Sequence, residues 1–184
     1  MYLGTFAPRQ QRNRSEQDFY ASTCPETRLN CGTRVYLNDH LAGATFGRAL
    51  VRRAASENPD GELGLFLTGL RREIEEDLET LQRVMGCVRA PANPAKRLAA
   101  ALAERAGRLK LNGSLRDYSD LSRLIELDGL ATGTMGKQAL WRALDVLDDH
   151  RLANFDFAGL AERAVQQHAG VERHRRIVAA RALG

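Results

Sequence analysis

Between residues 62 and 88 the apolar side chains Leu63, Phe66, Leu67, Leu70, Ile74, Leu81, Val84 and Val88 recur every three or four positions. That period is helical and persists for about seven turns. A helix with one long apolar stripe must bury it against other elements. One slot is of the wrong kind: Asp77 stands between Ile74 and Leu81, and Glu73 flanks the stripe. Buried polar groups need partners, so a bundle built on this helix should carry a polar spot near its axis.

A second stripe precedes it. Leu37, Leu41, Ala44, Val51 and Ala55 share one face of a helix over about 33–57, with His40 inside the apolar arc and Asp39 at its edge. Asn58-Pro59-Asp60-Gly61 is a turn signal, so the two helices should form an antiparallel hairpin. Counted from this turn, His40 and Asp77 fall at nearly equal height, which predicts that the two side chains meet.

Residues 1–33 carry no sustained periodicity and read as an extended or disordered leader, leaving 34–184 as the helical bundle domain. Asn93-Pro94 should start a further helix with Leu98, Leu102 and Leu109 on its apolar side. Ser119 caps a short helix of about 120–131, with Asp128 on its inner side. Gly113, Gly129, Gly133 and Gly136 predict a segment packed as short pieces, with Thr134 after Gly133 capping a separate helix that buries Leu140, Ala143, Leu144 and Leu147 and leaves Trp141 off the buried face. A last helix over about 156–183 buries Phe157, Leu160, Ala164, Val171 and Val178, with Gln167 and His174 at stripe positions. Alternating short strands are absent. The fold class is all-α, an up-down bundle with a broken crossover and an N-terminal arm.

The hydrophobic share of 43% is that of a soluble globular chain, and no apolar run approaches the roughly 20 residues needed to span a bilayer. Without a secretory signal the cytoplasm is the default location. The net charge is +4, but the basic residues are scattered and not interleaved with aromatics, so no nucleic acid is expected as partner. The three cysteines, Cys24, Cys31 and Cys87, read as free thiols, with Cys87 a small apolar filler at a helix end. No Walker, Gly-x-Ser-x-Gly or His-Glu-x-x-His arrangement occurs. Thr132 to Lys137 imitates part of a phosphate loop but lacks the preceding strand and reads as a turn between helices.

The inward-facing polar residues are therefore the functional candidates. His40, Glu73, Asp77, Asp128 and His174 form a candidate metal set, because carboxylate plus imidazole suits iron, manganese or zinc. Asp39, His40, Asp77 and Gln167 form a candidate buried polar network, which can instead fix helix register. Arg48 and Arg105 stand near the stripes and could neutralise Asp77 or Asp128.

Two motifs carry a resemblance. The stretch Tyr36-Leu37-Asn38-Asp39-His40-Leu41-Ala42-Gly43-Ala44, with Gly107-Arg108-Leu109-Lys110-Leu111-Asn112-Gly113 and Leu121-Ser122-Arg123-Leu124-Ile125-Glu126-Leu127, resembles a family of bacterial helical proteins with no secure activity. The likeness spans about residues 35–182. The helix order is also similar to ferritin-like bundles, although their paired Glu-x-x-His motifs are missing. Two functions follow as expectations: a non-enzymatic interaction or scaffold module, self-associating or binding a protein partner, or a ferritin-like metal-binding oxidoreductase or storage protein using iron or manganese.

Overall fold

The computed structural model describes residues 31–91 and 118–184. Its regular structure is helical throughout: α1 (Cys31–Glu57), α2 (Gly61–Cys87), α3 (Asp120–Asp145), a 3-10 turn (His150–Leu152) and α4 (Phe157–Leu183). The leader up to residue 30, Cys24, the helix expected from Asn93, Arg105 and the Gly107–Gly113 motif lie outside the described residues. None of the described helices is long and apolar enough to cross a membrane.

The ends of the helices follow local chemistry. Gly61 enters α2 at φ +75°, where glycine alone is unstrained. The Asn58 amide donates back to the Ala54 carbonyl at 2.7 Å and closes the end of α1. The Ser119 hydroxyl accepts from the Ser122 N–H at 3.2 Å, and the Asp156 carboxylate accepts from the Gly159 N–H at 2.8 Å, so α3 and α4 both start on side-chain caps. Arg89 turns left-handed at φ 54°, and the Ala90 N–H returns to the Met85 carbonyl at 2.9 Å to end α2.

The break expected near Gly133 does not occur. α3 runs unbroken from Asp120 to Asp145, so Thr134 is no cap and Thr132–Lys137 is no turn. Packing outweighs the local glycine penalty of about 1 kcal/mol per residue: a Cβ on Gly129 would lie 2.8 Å from Leu50 Cδ2, so this glycine lets α1 pack close to α3. Continuity also turns Trp141 inward. It is 1% exposed and stacks on Phe157, while Leu147 is left 43% exposed.

Among the described helices each has two neighbours: α1 lies beside α2 and α3, and α4 lies beside α2 and α3. Arg53 reaches Glu126 from the end of α1 to the start of α3, so these helices are antiparallel. Glu62–Arg173 and Glu76–Arg163 set α2 antiparallel to α4. The order is up-down-down-up, with α2 and α3 parallel on one diagonal.

Among the described residues the apolar core falls into two clusters. One gathers Leu37, Leu41, Leu78, Leu81, Leu140, Trp141, Phe157 and Ala164 toward the start of α1. The other gathers Val51, Leu67, Leu70, Ile74, Leu127, Leu130 and Val171 toward its end. Asp77, Thr134, Lys137 and Gln167 occupy the level between them.

Candidate functional site

On α2 the stripe Leu67, Leu70, Ile74, Asp77, Leu81, Val84, Val88 places Asp77 at the middle of the bundle, and it is 3% exposed. Its carboxylate is fully engaged. Lys137 of α3 donates to Oδ2 at 2.5 Å, and Arg163 of α4 donates to Oδ1. The Gln167 amide lies 3.4 Å from the same Oδ2 and donates to Glu73 Oε2 at 2.8 Å. Lys137 also donates to Gln167 Oε1. Arg163 extends the cluster outward to Glu76 at 3.1 Å. Burial pulls the Lys137 ammonium below the usual lysine range, and Asp77 opposes that shift.

Thr134, one turn before Lys137, is buried and donates to the Ala131 carbonyl at 2.8 Å. His168 Nδ1 lies 3.2 Å from that carbonyl and 3.2 Å from the Thr134 hydroxyl, so it carries the proton. The layer thus draws side chains from α2, α3 and α4.

A second polar cluster joins α1 to α3 at the far end. Tyr118 donates to Glu126 Oε2 at 2.9 Å and accepts from the Asn58 amide at 2.7 Å, while Arg123 Nε donates to Asn58 Oδ1 at 2.5 Å. Arg53 Nε lies 3.0 Å from Glu126 Oε1 but off its hydrogen-bonding direction, so that oxygen is paired by charge alone. Burial pushes the Glu126 carboxyl up, with Tyr118 and Arg53 opposing, and it pushes the Tyr118 phenol up to about 12.

The expected site residues divide. Asp77, Glu73 and Gln167 come together as one network. His40 does not join it: no hydrogen bond or ion pair links it to Asp77. The inward arc at this end of α1 is Leu37, Asn38, Leu41 and Ala42, so His40 sits on the flank, half-buried, edge-on to Tyr36 at 4.5 Å. Burial lowers its pKa, and neighbouring Asp39, exposed to solvent, opposes that. Asp128 is on the surface and pairs with Arg175 at 3.2 Å. His174 is buried but stacks on Phe66 at 4.7 Å, about two turns beyond Gln167. Among the described residues no three His, Cys, Asp or Glu side chains are grouped to hold a metal ion. Asp77 is neutralised by Lys137 and Arg163, and not by Arg48. Cys87 is exposed rather than a core filler.

The sequence pattern singles out neither Lys137 nor Arg163, Tyr118 or Glu126. For Lys137 a signal exists once α3 is read as continuous: Leu130, Thr134, Lys137, Trp141 and Leu144 keep the core spacing of four and three.

Compared with known proteins, the chain matches no family model, no curated protein and no solved structure.

Proposed function

We propose that this chain is a non-enzymatic bundle of ferritin-like architecture that acts through protein contacts, self-association first among them. One observation carries the reading. Both oxygens of Asp77, the best-placed inward carboxylate, are occupied by N–H donors of the chain itself. A metal at Asp77 would have to displace an ammonium and a guanidinium. Asp77, Glu73 and Gln167 are consumed in joining α2, α3 and α4. The up-down-down-up order of the described helices supports the ferritin-like comparison for architecture.

Exposed apolar side chains near one end support such a contact. Val35 and Tyr36 at the start of α1 are exposed, as are Val146 and Leu147 at the end of antiparallel α3. Exposed apolar groups favour protein contact, and Leu65, Leu121, Ile177 and Leu183 are exposed toward the opposite end. Sedimentation across a concentration series tests this. The mass should rise with concentration, and Tyr36→Asp with Leu147→Asp should abolish the rise. A wild-type monomer throughout, or stoichiometric iron or manganese in protein purified without chelator, overturns the reading.

A further inference from the structure

We infer that the Asp77–Lys137–Gln167 layer is a conformational lock that selects which helices become neighbours and in which register. On either side of the layer the seams are nearly interchangeable. α2 presents Leu67, Leu70 and Ile74 before Asp77, then Leu81, Val84 and Val88 after it. α4 presents Leu160 and Ala164 before Gln167 and Val171 after it. Both run in alternating steps of three and four, so sliding one helix by seven residues again sets apolar against mostly apolar groups. Apolar side chains of about the right size discriminate weakly between such packings. A buried charge without a partner discriminates strongly.

In a slid arrangement Leu160 or His174 replaces Gln167 opposite Asp77, and Glu73 loses its donor. Exchange of neighbours fails for a different reason. Arg163 and Gln167 reach Asp77, Glu73 and Glu76 only because α4 lies beside α2. The diagonal from α3 to α2 is spanned by Lys137, whose flexible four-carbon stem has the reach. Among the described residues this is the one hydrogen bond or ion pair between α2 and α3, whose backbones do not lie alongside each other. Donor length and helix position therefore agree in one arrangement.

The full-length chain carrying Asp77→Leu, Lys137→Met and Gln167→Leu tests the lock. Its urea midpoint should equal or exceed that of the wild type, because apolar groups often replace a buried ion pair without loss. Its amide NMR spectrum should show doubled or broadened peaks. A single sharp set with wild-type contacts between α2 and α4 overturns the inference. If the triple variant does not fold, Lys137→Met alone decides. The lock then requires doubling confined to α3 while α2–α4 contacts persist, since Arg163 and Gln167 still hold Asp77. One set of α3 peaks with wild-type contacts to α1 overturns it.

Discussion

Lys137 Nζ lies 2.5 Å from Asp77 Oδ2 across the diagonal of the bundle, between two helices that are not neighbours. A surface pair of the same chain offers the contrast. Asp128 and Arg175 meet at 3.2 Å, with side chains 53% and 32% exposed. Both are ion pairs between helices, but burial gives them different weights.

Asp77→Ala should destabilise the fold by about 3 kcal/mol, since it strands a buried ammonium. Asp128→Ala should lose no more than about 0.5 kcal/mol, because water already screens the pair. Urea denaturation at neutral pH measures both, with unchanged slopes certifying that the comparison is of stability alone. Equal losses would show that water reaches Asp77.

Glu126 gives a stability effect of the opposite sign. Burial raises its folded pKa, so the folded state binds this proton more tightly than the unfolded chain. Its contribution is most favourable in acid and is lost as pH rises through the folded value. Glu126→Gln keeps an acceptor for Tyr118 and removes the buried charge. The variant should have a higher urea midpoint than the wild type at pH 7.5, and the gap should shrink on acidification. A lower midpoint at pH 7.5 would mean that Arg53 outweighs burial.

His174 behaves as a base whose charged form is disfavoured, first by burial and then by Arg173, with Glu62 opposing. A lowered base pKa makes stability fall as pH drops below the ordinary value of 6.5. In a proton-detected titration, His174 and His40 should both show midpoints under 6.5. His174→Gln should flatten the loss of stability between pH 7 and 5. A His174 midpoint above 6.5 would contradict its placement under Phe66.

Much of the architecture is legible in the sequence because it is written in short-range terms. Asn58–Gly61, Ser119 and Asp156 mark helix ends through groups a few residues away. The polarity of Asp77 and Gln167 is legible because each interrupts an otherwise apolar period. Lys137 is hidden by a misplaced boundary: treating Gly133 as a break removes the phase that sets Lys137 between Thr134 and Trp141. His40 is misjudged because an ideal wheel fixes an arc for the whole helix, whereas the buried arc near residue 40 is set by what α2 and α3 offer there. Asp128 fails likewise, one step off the buried face.

The helical glycines of this chain differ in what surrounds them. Gly133 and Gly136 lie inside α3 with open space where a Cβ would stand. Alanine there gains helix propensity and meets nothing, so each change should stabilise by up to about 1 kcal/mol. Gly129→Ala meets only Leu50 Cδ2 at 2.8 Å, the end of a side chain able to shift, so the clash should offset much of that gain. Gly64→Ala is a different case. Its Cβ would run into the Asn58 carbonyl oxygen and stand 3.0 Å from the Pro59 carbonyl carbon, both backbone atoms of the α1–α2 turn. The turn cannot retreat without disturbing Asn58, which Arg123 and Tyr118 hold through its side chain. Gly64→Ala should therefore destabilise by roughly 2 kcal/mol or more, as overpacking does. Thermal melts of the four single variants give the ranking, with Gly133→Ala and Gly136→Ala above the wild type and Gly64→Ala lowest. A Gly64→Ala melt at or above the wild-type temperature would show that the hairpin turn stands farther from α2 than described.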